Sequence, residues 1–243
     1  LAGAPSAPGG PIGDMEALAL ETDWKRLFDD SIPREERSYR RKQDDRDGVA
    51  TLGVGLNRGK VNVSPGMLQG ERILSMFERK TLAVSTINDF DELPIPFRAT
   101  GTDLNTGESV ELGRGSLAEA MRASMSLPGI FQPVVIDGRV LIDGGIAEQV
   151  PIDTVRRMGA DIVIAVDVGT PLTELDADAS MLQVISQLTG MLTVGNTRTS
   201  TARLGEHDVL IVPELGTEVT TADFAKAKEA PAIGDKAAVG AEP

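Results

Sequence analysis

Between Ser116 and Ile152 the hydrophobic rhythm of the chain changes twice. Ser116 and Glu119 stand in S-x-x-E spacing, a capping box that starts a helix at Leu117. Met121, Met125 and the alanines between give that helix a small apolar face, and Pro128-Gly129 ends it. The period then shortens. Pro133–Ile136 and Arg139–Ile142 read as two short strands, with Asp137-Gly138 between them as a two-residue hairpin turn. The second strand runs straight into Asp143-Gly144-Gly145.

The same reading along the rest of the chain predicts alternating helices and strands. Leu20, Trp24, Leu27 and Phe28 fall on one face of a helix over 14–28. Residues 34–47 mix both signs of charge and read as a solvated segment. Residues 51–63 read as short strands and turns. Pro65-Gly66 opens a helix through Lys80, with Leu68, Ile73, Leu74 and Phe77 inward. Residues 90–112 read as strand, tight turn, strand. In that turn Asp103 is expected to bond backbone amides, as Asp and Asn do in turns. Pro151 and Gly159 bracket a short helix. Residues 161–168, DIVIAVDV, read as a buried strand of the parallel-sheet kind. Residues 180–204 read as a long helix with Met181, Val184, Ile185, Leu188, Met191 and Leu192 at core spacing, a stripe that could alternatively face a lipid chain. A strand over 209–212 and a helix over 221–230 follow. Strand, helix, strand in this order points to an α/β layer with a largely parallel sheet.

Composition narrows the chemistry. The chain has 243 residues, ordinary for one domain, with 41% hydrophobic and 25% charged residues. Its net charge of −13 argues against nucleic-acid binding by bulk electrostatics. There are no cysteines, which excludes a disulfide framework, a zinc–thiolate site and a cysteine nucleophile. The one histidine, His207, lies in a Gly-Glu-His-Asp turn and reads as a solvated turn residue. No cofactor or metal site is expected. No apolar run reaches the roughly 18 residues that a membrane-spanning helix needs.

The candidate chemistry sits at Asp143. A carboxylate at a strand end followed by two glycines lies on backbone that bends sharply and approaches other groups closely. Taken alone, the triplet reads first as a turn whose Asp only bonds amides, since Asp and Gly are common in turns. The wider pattern is more specific: A-S-x-S-x-P-G-x-F-x-P-V, then I-D-G-R, then D-G-G, then a proline and an Arg-Met-Gly-Ala-Asp step. This series resembles the patatin-like phospholipase family of bacterial type, from about Asp14 to Asp223 and most densely over 94–168.

The resemblance implies a three-layer α/β sandwich with a central, largely parallel sheet, and a lipid acyl hydrolase working through a Ser-Asp dyad. Asp143 matches the family aspartate. Gly144, Gly145, Ser124, Ser126 and Pro128 form its expected neighbourhood. The implied partner is a phospholipid or other fatty acyl ester, met by peripheral contact with a membrane surface, inside the cell or in its envelope. The family serine sits in a G-x-S-x-G elbow preceded by a Gly-rich oxyanion turn, and neither pattern occurs in these 243 residues. They are expected to correspond to the part of the domain after the elbow, and not to turn over esters by themselves. Ser6, Ser124 and Ser126 resemble no strained elbow, and the latter two read as helix-end packing residues. A non-catalytic lipid- or protein-binding module is the alternative. Residues 1–12 are expected as a flexible segment, 13–230 as one α/β domain and 231–243 as a flexible tail.

Overall fold

The structure is a computed structural model and describes residues 20–27, 54–57, 60–63, 66–216 and 229–241. Its centre is a four-stranded sheet in the order β5-β4-β8-β7, comprising β4 (Ala99–Asp103), β5 (Ser109–Leu112), β7 (Val134–Ile136) and β8 (Arg139–Asp143). Every pairing in it is antiparallel. β4 is buried along its whole length, as a central strand covered on both faces must be. Its register sets Gly101 opposite Asp143, Thr102 opposite Ile142 and Asp103 opposite Leu141.

The β7–β8 turn is the one the sequence requires. Asp137 and Gly138 both take positive φ, 50° and 76°, the backbone of a type I′ turn. Helix α3 (Leu117–Ser124) packs on β4, β7 and β8. Ser116 Oγ accepts a hydrogen bond from the Glu119 N–H and caps it. Ala118, Ala120 and Ala123 are buried, so the helix lies close to the sheet. Helix α2 (Glu71–Lys80) packs on α3 through Ile73, Met76 and Phe77. Phe90, Leu93, Leu117, Met121, Phe131 and Leu141 complete the main core.

Other elements surround this unit. The turn α1 (Trp24–Leu27) buries Trp24. A hairpin joins β1 (Val54–Asn57) to β2 (Lys60–Val63). Strand β3 (Gly66–Leu68) runs parallel to β6 (Gly129–Phe131). After β8 come α4 (Gly145–Glu148) and α5 (Ile152–Arg157), then β9 (Ile164–Val166), α6 (Met181–Thr201), β10 (Val209–Ile211) and α7 (Ala230–Gly240). β9 and β10 pair in parallel. Among the described residues no helix is long and apolar enough to cross a membrane.

Several expectations change. The mixed α/β class is present, but the widest described sheet is antiparallel. The reason is that β8 is paired by the tight hairpin to β7 and by register to β4, so the strand–helix–strand step that suggested a parallel sheet feeds β9 into a separate parallel pair. The helix expected from Pro65 begins only at Glu71. Residues 66–68 instead pair with β6, and Gly70, at φ 76°, makes the left-handed bend into the helix. The 161–168 run is not buried throughout. Val163 and Ala165 point into a small second core with Val150 and Ile152, while Ile162, Ile164, Val166 and Val168 are exposed. On α6, Met181, Val184, Leu188, Met191 and Leu192 are likewise exposed rather than core. The stretch expected as a tail forms α7, with no buried residue. Residues 14–19 and 28 of the first predicted helix, the 34–47 segment and residues 221–228 of the last predicted helix lie outside the described residues.

Candidate active site

Asp143 ends β8 with its backbone clamped on both sides. Its N–H donates to the carbonyl of Ser126 at 3.0 Å, and its own carbonyl accepts from Thr102 Oγ1 at 2.8 Å. The same Thr102 oxygen accepts from the Ala147 N–H at 3.1 Å, tying β4 to both ends of the turn. The carboxylate Oδ1 accepts from the Gly145 N–H at 2.8 Å. Burial pushes the Asp143 carboxyl up to about 6, against the lowering effect of that Gly145 N–H.

Gly144 is required for space rather than for an unusual dihedral, and Gly145 lies close to two side chains. Gly144 is right-handed, at φ −67°, yet a Cβ there would lie 2.3 Å from the Thr100 carbonyl oxygen and 2.4 Å from its Oγ1. A Cβ on Gly145 would lie 3.0 Å from Asp143 Oδ1 and closer still to the Gln149 side chain. Behind the turn, Asn196 of α6 donates from Nδ2 to the Gly145 and Ile146 carbonyls, each at 2.9 Å. Its Oδ1 accepts from the Gln149 N–H at 3.0 Å.

Asp143 lines a cleft of about 310 Å³. Leu127, Pro128 and Ile130 form one wall, and Gly190 and Thr193 of α6 lie on another, with Pro171 and Leu172 contributed by the loop after β9. A single acid in a mostly apolar cleft of this size can act on a ligand with an extended apolar part and one polar reacting centre.

The expected neighbours divide. Pro128 lines the cleft, and Gly144 and Gly145 shape the turn. Ser126 supports Asp143 through its backbone carbonyl only. Its side chain is fully buried, donating to the Arg122 carbonyl at 2.9 Å and accepting from Arg122 Nη1 at 2.7 Å. Ser124 is the half-buried last residue of α3 and does not line the cleft. Asp103 accepts from the Asn105 N–H at 2.9 Å, the turn bond expected of it. His207 is exposed in the turn before β10. Among the described residues no group of three or more His, Cys, Asp or Glu side chains is placed to hold a metal ion.

Thr102, Arg122, Gln149 and Asn196 were not singled out in the sequence. Arg122 carried a usable signal, a lone cation on an apolar helix face. It is buried, with Nη2 2.9 Å from the Gln69 carbonyl and its guanidinium 4.6 Å from the Phe131 ring centre. Asn196 carried none, because its partners lie about 50 residues away in sequence.

A family profile described as patatin-like phospholipase matches residues 6–156, well over half of the chain. An uncharacterized NTE family protein of Mycobacterium bovis is 41% identical over 101 residues, covering 42% of this chain and 27% of that protein. Patatin-like phospholipase domain-containing protein 7 of Mus musculus is 39% identical over 105 residues, covering 40% of this chain and 8% of that protein. Lysophospholipase nte1 of Aspergillus fumigatus is 34% identical over 91 residues, covering 37% of this chain and 6% of that protein. Each match thus spans only about a quarter or less of the relative's length.

Proposed function

The chain belongs to the patatin-like phospholipase family, and on that premise we propose that it carries the general-base half of a lipid acyl hydrolase, with Asp143 as the base. The observation that carries this reading is the placement of Asp143: buried at a strand end, its carboxyl pushed up to about 6, facing a cleft walled mainly by apolar groups. An ordinary aspartate is a weak base at neutral pH. One raised toward 6 is closer to the pKa at which proton transfer is efficient, and such transfer contributes about 10²–10⁴-fold in rate.

In the proposed reaction a serine hydroxyl attacks the ester carbonyl and its proton passes to Asp143. Asp143 returns that proton to the leaving alcohol as the acyl–serine forms. Water then attacks the acyl–serine by the same route in reverse, releasing a fatty acid. The serine and the oxyanion donors are assigned to residues outside these 243. The substrate is a phospholipid or other fatty acyl ester met at a lipid surface. The name of the fungal relative makes lysophospholipid the first substrate to assay. β9 and β10 are read as part of a larger central parallel sheet, within one domain spanning 13–230.

The test is a fluorophosphonate serine probe on the complete protein, with the labelled peptide mapped by mass spectrometry, alongside lysophospholipid hydrolysis across pH. Label is expected on a serine outside these residues. Activity is expected to fall as pH drops through about 6, because the base must be ionised. Label on Ser6, Ser124 or Ser126, or full activity in an Asp143→Asn variant, would overturn the assignment.

A further inference from the structure

The turn after Asp143 has little of its own to hold it. It contains two consecutive glycines, the most flexible backbone a chain can have, and leads into the four-residue helix α4, whose N-terminus has no side-chain cap. Yet the Gly145 N–H must stay aimed at the Asp143 carboxylate, where it donates at 2.8 Å. Asn196, on a helix far along the chain, commits both of its amide donors and its acceptor to this turn. Gly145 is therefore held at both ends, its N–H on the carboxylate and its carbonyl on Asn196. Asn196 stands one turn of α6 beyond Thr193, which lines the cleft together with Ser186, Thr189 and Gly190 of the same helix.

We infer that Asn196 is a positioning residue for Asp143: its amide holds the Gly145 and Ile146 carbonyls, which restricts Gly145 so that its N–H keeps its bond to the carboxylate, and it fastens the acid to the helix that walls the cleft. This rests on the reading of Asp143 as the general base. Among the described residues, three charged groups on the elements packed against the turn have other partners. Glu148 of α4 lies 3.9 Å from Arg203, Arg122 of α3 bonds Ser126 and the Gln69 carbonyl, and Asp103 of β4 bonds the Asn105 N–H. Among the described residues, none of the other side chains that line the cleft with Asp143 is a titrating group.

A merely structural tie would lower stability and leave the Asp143 titration where it is. A positioning role moves it upward, because a carboxylate that loses a donor holds its proton more tightly. The experiment compares wild type, Asn196→Ala and the volume-retaining Asn196→Leu. It uses carbon-13 detection of the Asp143 carboxyl, assigned by its absence in Asp143→Asn. The midpoint is expected to rise by about one to two pH units in both variants, the size one lost hydrogen bond to a charged carboxylate implies. In the complete protein the acid limb of kcat/KM should rise by the same amount. An unmoved midpoint in the folded variants overturns the inference. So does failure of both variants to fold by circular dichroism, which would make Asn196 a determinant of the fold instead. If the midpoint rises but the wild type hydrolyses no ester, the proposed function fails and the positioning role stands. If hydrolysis is normal and the midpoint stays, the reverse holds.

Discussion

Replacing Asp143 by Asn should make the folded chain more stable at neutral pH, although the same change removes the carboxylate on which hydrolysis is proposed to depend. Burial takes this carboxyl from an ordinary 3.8 to about 6. Roughly two pH units at 1.36 kcal/mol each amount to ~3 kcal/mol. The folded chain binds this proton more tightly than the unfolded chain, so protonation favours folding. That contribution is complete below 3.8 and is lost as pH rises through about 6. At pH 7 the ionised carboxylate then costs the folded state at most ~3 kcal/mol, which a neutral amide avoids. Asn keeps an oxygen for the Gly145 N–H but accepts more weakly than a carboxylate, which takes back ~1 kcal/mol. The expected net gain is about 1–3 kcal/mol at pH 7. Urea denaturation followed by circular dichroism at pH 7 and pH 4 measures it. The Asp143→Asn midpoint should exceed wild type at pH 7, and the difference should shrink by pH 4. Equal or lower stability at pH 7, or a difference that acid leaves unchanged, would refute the claim that burial governs this group.

Gly144→Ala puts a methyl 2.3 Å from a backbone oxygen that cannot swing away. It should cost ~3 kcal/mol, the upper end of overpacking, read as a drop in the urea midpoint. Arg122→Met leaves the Ser126 hydroxyl and the Gln69 carbonyl short of a buried donor. It should cost about 3 kcal/mol or more by thermal denaturation. His207→Gln should leave the pH dependence of hydrolysis by the complete protein unchanged. A limb that vanished with it would point to a Ser-His-Asp arrangement instead.

Local signals were legible where the partner was near in sequence. Ser116 with Glu119 announced α3, and Asp137-Gly138 announced the two-residue hairpin turn, which is of type I′. The D-G-G triplet drew notice for its glycines. What the sequence could not show is why Gly144 must be glycine, since its neighbour, Thr100, lies more than 40 residues earlier. Asn196 and Thr102 were invisible for the same reason: each acts on backbone groups brought close only by the fold. Hydrophobic periodicity gave the right element at α6 but the wrong destination for its apolar side. Spacing reports that a face exists; what covers that face depends on the rest of the molecule.

Trp24 is the chain's one tryptophan, and it is buried, while Leu27 one turn later packs against the larger core cluster. Its emission is consequently a local gauge of whether residues 20–27 are seated. Circular dichroism, by contrast, averages over every helix and strand. Overlaid fluorescence and dichroism curves would mean that this segment and the sheet melt as one cooperative unit. An earlier fluorescence transition would mean that the segment leaves first, and its midpoint would measure how firmly that piece is held.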